Sequence, residues 1–193
     1  VDDSVGSTAR LYRDGGATYE HQYNGFVLSG AGTLEKTGVG LMEMNYDSDS
    51  TVRMSSGAVI AVKAGMLRLG WGNRSNWASN RSDLNIVAGA TFDMWDNSTG
   101  VFVDALTGDG TYIKGTGYNN PGNGTLTIGV DNGSGAFNGA LLNGTGAPTP
   151  GILSLTKNGT GTQTLNSAST YTGNTVVNAG VLKRHFRGNQ GHM

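Results

Sequence analysis

The chain alternates apolar and polar residues in bursts of three to six residues, and closes nearly every burst with Gly, Asn, Asp or Ser. Leu41-Met42-Glu43-Met44, Val59-Ile60-Ala61-Val62, Met66-Leu67-Arg68-Leu69, Leu84-Asn85-Ile86-Val87, Thr125-Leu126-Thr127-Ile128 and Thr175-Val176-Val177 are such bursts. A period of two puts successive side chains on opposite faces of a strand, and the bounding residues are those that accept turn geometry. No dozen consecutive residues keep a 3.6-residue apolar period free of Gly clusters, so helix is nearly excluded. With 33 Gly in 193 residues, disorder is the other reading, but the recurring apolar bursts supply surface to bury. The fold class is all-β, built from many short strands.

Repetition decides between a sandwich and a solenoid. The segment Gly30-Ala31-Gly32-Thr33-Leu34-Glu35-Lys36-Thr37-Gly38-Val39-Gly40-Leu41-Met42-Glu43-Met44 returns 121 positions later from Gly151 to Leu165, matching at Leu34/Leu155, Lys36/Lys157, Gly38/Gly159, Gly40/Gly161 and Met44/Leu165. A second element, an Ala-Gly turn before a strand, occurs at Ala64-Gly65, Ala88-Gly89 and Ala179-Gly180. The first two of these are 24 residues apart. A period in the low twenties with three short strands per period suits a parallel β-helix, in which each coil pairs with its neighbours and stacks its apolar residues inside. The sequence therefore predicts an N-terminal cap or first coil over residues 1–29, a β-helix over 30–182 and a tail over 183–193. Leu34, Met44, Leu67, Leu69, Phe92, Met94, Leu126, Ile128, Leu155 and Val177 are the expected interior stack. A Gly-rich sandwich is the competing architecture.

The unit Leu155-Thr156-Lys157-Asn158-Gly159-Thr160-Gly161, Thr170-Tyr171-Thr172-Gly173, Val177-Asn178-Ala179-Gly180-Val181-Leu182 resembles the passenger-associated transport repeat of bacterial autotransporter and surface proteins. The first copy, from Gly30 to Leu69, keeps the front and back of the pattern and replaces its Tyr-x-Gly centre with Asn45 to Ser50. The resemblance implies a right-handed parallel β-helix in a secreted or cell-surface protein. It says little of activity, because the motif describes stacking strands and not a site.

Composition removes several functions. A net charge of -1 with 14% charged residues leaves no clustered cations for nucleic acid. The longest apolar run, Ala58 to Val62, is far short of the roughly 20 residues of a membrane helix. There is no Cys, and of three His two, His185 and His192, lie in the last nine residues, so neither a metal nor a cofactor is expected. The chain starts at Val1 with no leader pattern and reads as part of a longer precursor. Asp47/Asp49 and Asp131-Asn132-Gly133 do not complete a calcium loop. Asp93 and Asp96 could pair for glycoside cleavage but show no third group, so catalysis is not expected. Asn97-Ser98-Thr99 and Asn143-Gly144-Thr145 match the glycosylation pattern, as chance allows in such a chain.

The aromatics offer the most specific expectation. Trp71 and Trp95 each lie six residues after an Ala-Gly turn, so a 24-residue coil would set them over one another on an outer wall, about 4.8 Å apart. Trp77 sits in the polar loop between them. Flat rings flanked by Asn, Arg and Asp suit stacking on sugars. On this reading the chain is a non-catalytic carbohydrate-binding module attached to a secreted bacterial glycan-degrading enzyme; it resembles β-helical modules of that kind, and the resemblance, not the residues, implies a plant polysaccharide such as xylan. The contacts would be Trp71, Trp77 and Trp95 for stacking, Arg74, Asn76 and Asp96 for hydrogen bonding, with Tyr46, Tyr112 and Tyr118 extending the platform on neighbouring coils. The alternative is a structural stalk or passenger fragment of an autotransporter or adhesin, and a third reading is a small polysaccharide lyase or hydrolase.

Overall fold

The computed structural model describes residues 2–3, 8–12, 21–23, 25–44, 49–70, 74–115, 122–146 and 149–185, with side chains from residue 25 onward. The described residues hold strands and turns and no helix, and every strand pairing is parallel between successive passes of the chain. The architecture is a parallel β-solenoid, not a sandwich.

Three walls enclose the interior. The long wall has eight strands in order, Thr8–Tyr12, Thr33–Thr37, Val59–Val62, Asp83–Ile86, Leu106–Gly108, Gly135–Phe137, Thr162–Leu165 and Val181–Arg184. A second wall has six, His21–Tyr23, Leu41–Met44, Met66–Leu69, Thr91–Asp93, Thr111–Ile113 and Ala140–Leu142. The third wall is split into two four-stranded sheets. Its first part holds Asp2–Asp3, Val27–Gly30, Ser50–Met54 and Ser75–Asn76, and its second part Val101–Val103, Gly124–Ile128, Leu153–Lys157 and Thr175–Val177. Residues 1–29 thus already contain three strands that pair with the coil after them.

Period-two alternation generates the core. Register stacks Leu34, Ile60, Leu84 and Leu106 in one inward column and Met42, Leu67, Phe92, Tyr112 and Leu141 in another. Each is at most 3% exposed, and such burial contributes about 1.5–3 kcal/mol per large side chain. Nine of the ten expected interior residues are buried. Val177 is the exception at 49% exposed, because it belongs to the last described strand of its wall and none of the described residues covers it.

Where the ladder is interrupted, side chains complete it. The strand Gly135–Phe137 pairs with the coil before it only at Gly108↔Phe137, which leaves the Leu106 backbone without a ladder partner on that side. Gln163, one coil further on and fully buried, accepts from Leu106 N at 3.1 Å and donates to Leu106 O at 2.9 Å. It reaches past Gly135, where a Cβ would crowd both the amide and Leu106 O. A similar repair spans the split wall. Asn80 Nδ2 donates to Phe102 O at 2.8 Å, while Asn97 Nδ2 and Thr99 Oγ1 both donate to Ser75 O, at 3.2 and 3.1 Å.

Candidate functional site

The predicted aromatic platform is not what the structure builds. Trp77 follows the short strand Ser75–Asn76 and turns inward, 1% exposed. Its ring meets Phe92 edge-on at 5.8 Å, and Phe92 stacks on Tyr112 at 5.2 Å, forming an aromatic column inside the coil. The Trp77 indole N–H and the Tyr112 hydroxyl are buried without hydrogen-bond partners.

Trp95 was expected on an outer wall, but the strand before it stops at Asp93 and strand alternation does not extend to it. Trp95 lies in the following turn at φ 46°, 9% exposed, with the Arg68 guanidinium 3.7 Å above its ring. The register of that wall is 25 residues, Met66 opposite Thr91, so a 24-residue spacing does not align side chains there. Trp71, Tyr46 and Tyr118 lie outside the described residues. Arg74 and Asn76 are exposed, and Asp96 is half-buried. Asn76 Oδ1 accepts from Ala78 N at 3.0 Å and shapes its own turn. Of the expected sugar contacts, an open recess of about 360 Å³ brings together only Asn76 and Trp77, with Ala78, Thr99 and Phe102 as its other walls.

Beneath Trp95 the same corner holds a network of charges drawn from three successive coils. Arg68 Nε pairs with Asp93 Oδ2 at 3.1 Å, and Asp93 Oδ1 accepts from Trp95 N at 2.9 Å. From the next coil Lys114 Nζ donates to Trp95 O. Asp93 and Lys114 are fully buried. Burial pushes the Lys114 ammonium down to about 8, against the opposing pull of Asp96 and Asp93. The Tyr112 hydroxyl is pushed well above its ordinary range, first by burial and then by the Asp93 charge. Both Asp93 oxygens are engaged and shielded from solvent, so an acid pair with Asp96 has no room for a substrate. Chemically this corner ties coils together.

Other expected features resolve the same way. Asn97 is fully buried and its Oδ1 accepts from Thr99 N at 2.9 Å, which makes this glycosylation pattern a fold element. Asn143 Oδ1 serves Leu153 N and Thr172 N, at 3.0 and 3.2 Å. Among the described residues no group of three or more His, Asp or Glu could hold a metal ion. Likewise no helix is long and apolar enough to cross a membrane.

Sequence reasoning missed the buried polar side chains. Lys36, Lys114, Lys157 and Gln163 are at most 1% exposed, and Asp104, 9% exposed, accepts from Asp131 N and Gly133 N of the next coil at 2.7 and 2.8 Å. For two of the lysines the signal was present. Leu34-Glu35-Lys36 and Leu153-Ser154-Leu155-Thr156-Lys157 put each lysine in phase with inward leucines.

Two comparisons bear on identity. Residues 155–183 match the Passenger-associated-transport-repeat family, the stretch on which the sequence resemblance rests. The protein called "Adhesin BmaC autotransporter" of Brucella suis biovar 1 (strain 1330) is 34% identical over 164 residues, which is 83% of this chain. The chain spans 4% of that relative's length. No solved structure matches the chain. The repeat and the autotransporter relative place the chain in a secreted or cell-surface setting. They overturn the expectation of a carbohydrate-binding module on a glycan-degrading enzyme, since both lead to autotransporter passengers. The inward Trp77 and the covered Trp95 remove its physical basis as well.

Proposed function

We propose that this chain is a non-catalytic structural segment of an autotransporter passenger of the adhesin kind, a shaft that spaces other parts of the protein from the cell surface. The observation that carries the reading is where the polar chemistry goes. Asp93, Asp104, Lys36, Lys114, Lys157 and Gln163 are buried and spend these hydrogen bonds on main-chain groups or, for Asp93, also on the Arg68 guanidinium of the neighbouring coil. A solenoid whose stability is a sum of neighbour contacts suits a spacer, because length adds without a new fold.

The test is replacement in the parent protein. Exchanging this segment for an unrelated parallel β-solenoid with the same number of coils is expected to preserve both surface display and adhesion to host cells. Display with loss of adhesion would overturn the reading and move the adhesive contact onto this segment. The non-catalytic part is checked by incubating the purified chain with a polysaccharide panel, where no new reducing ends or unsaturated products are expected.

A further inference from the structure

Three of the five lysines, Lys36, Lys114 and Lys157, are buried to 1% exposure or less. Lysine is almost never fully buried without a partner that offsets its desolvation, so each needs a physical account. For Lys36 the partners are main-chain carbonyls. Its Nζ donates to Thr37 O at 2.8 Å and Gly38 O at 2.7 Å in its own turn, and to Ala64 O at 3.0 Å in the turn of the next coil. Lys157 Nζ donates to Asn158 O and, at 3.0 Å, to Gly159 O.

The main-chain surroundings of the two lysines correspond, with one difference: Lys36 Nζ also reaches the upper coil at Ala64 O, while Lys157 Nζ bonds only within its own turn. Lys63 N donates to Lys36 O at 2.8 Å, and Asn178 N to Lys157 O at 2.8 Å. Met66 N donates to Gly40 O at 3.3 Å, and Val181 N to Gly161 O at 3.2 Å. Gly38, Gly65, Gly159 and Gly180 all have positive φ, between 62° and 76°. A Cβ on Gly65 would collide with Gly40 O, and one on Gly180 with Gly161 O. Yet the two sets occupy different corners. Lys36 stands where the long wall turns into the six-stranded wall, and Lys157 where the split wall turns into the long one.

We infer that the Lys-x-Gly-x-Gly turn and the Ala-Gly turn stacked on it form one two-coil clamp at either corner, in which a buried ammonium braces the carbonyls of the lower turn, and at Lys36 bonds to the upper turn as well, so that main-chain contacts fix the register of successive coils. The 121-residue sequence repeat then records a reused clamp, not a reused wall. Each part of the motif has a task. The lysine supplies three donors, the first glycines let the carbonyls turn inward toward the ammonium, and the Ala-Gly pair lets the upper turn approach without a Cβ in the way. Below Lys157 the packing is equally close. Gly129 beneath it carries no side chain, and a Cβ there would come 3.0 Å from Nζ; burial pushes the Lys157 ammonium down, with the Asp104 charge opposing that shift.

The test uses the full chain. Lys36→Met keeps the hydrocarbon stem and removes the ammonium. Hydrogen exchange at Met66 and Leu67 is expected to quicken about tenfold, the loss of roughly one net hydrogen bond, while exchange at Leu153–Lys157 stays unchanged. Unchanged protection at Met66 would overturn the clamp and leave the stem as mere packing. Should the variant not fold, the wild-type protein still decides. The ammonium hydrogens of Lys36 and Lys157, followed by ¹⁵N resonance at Nζ, are expected to exchange with water far more slowly than those of the exposed Lys63 and Lys183. Equal rates for all four would show that no carbonyl cage holds them.

Discussion

Glycine carries much of the local information in this chain, and its positions are not equivalent. Gly57 has φ 77° with nothing near a Cβ, whereas Gly129 has φ 87° and a Cβ there would run into Asn158 O of the next coil. Gly57→Ala should therefore lose only the left-handed backbone term, about 1–2 kcal/mol. Gly129→Ala should lose about 3 kcal/mol or more, because the adjoining backbone must also shift. Urea unfolding of both variants checks the order, and equal losses would contradict the stacked-turn geometry. Tyr112 makes the opposite prediction. Its hydroxyl is buried without a partner, so Tyr112→Phe keeps the stack on Phe92 and removes a desolvated polar atom. The variant should be as stable as the parent or more so, by about 1 kcal/mol. Thermal unfolding that shows a clear loss would mean that the hydroxyl has a partner in solution.

At the scale of strands and turns, alternation and turn residues made the elements legible before any coordinates. Leu67, Phe92 and Leu126 point inward as their parity requires. What escaped was the fate of residues just past a strand end. Trp95 stands two places beyond Thr91–Asp93, in a turn with positive φ, where strand parity says nothing. Trp77 likewise follows a strand of only two residues. The inward lysines were hidden by chemistry instead, since charge argues for solvent until the carbonyls that receive it are seen. The corner around Trp95 gives a prediction at this scale. The Lys114 ammonium is held down at about 8 in the folded protein, against 10.5 for an ordinary lysine. Between those values the unfolded chain binds more protons than the folded one, so this group makes stability rise with pH across that window. Below about pH 8 the ammonium stays charged in both states and its burial penalty is constant. Denaturant midpoints of the parent, compared with Lys114→Met from pH 7 to 10, should show that rise in the parent alone. A flat difference would mean that the ammonium is not desolvated. Tyr112 lies in the same corner, but its raised value acts only above its ordinary 10.0, where it lowers stability as pH climbs.

For the whole molecule, stacking without closure predicts stability that varies along the axis. Among the described residues the last strands, Thr175–Val177 and Val181–Arg184, have a neighbour on one side only, with Val176, Val177 and Val181 45–49% exposed. Their amides should exchange first, followed by coils further in, with the central strands around Leu84 and Leu106 last. A single rate for all strands would show instead that the solenoid opens in one step. The sequence made this axis visible through its repeat, but not the change of corner between the two copies. A linear pattern preserves the order of strand, turn and strand, and carries no label for which wall the first strand occupies.

The split wall bears on how such a rod responds to load. Along the long wall, strand pairing continues from coil to coil through eight strands, narrowing to Gly108↔Phe137 where Gln163 fills in, so extension on that side must break main-chain pairing at almost every step. Between Ser75–Asn76 and Val101–Val103 the opposing side has no ladder and is joined by the amides of Asn80 and Asn97 and the hydroxyl of Thr99. Bending that opens this seam strains a few side-chain contacts, while bending the other way strains the backbone. For the proposed shaft this asymmetry predicts a preferred direction of flex, with a pulling force taken up at the seam before it reaches the coils on either side.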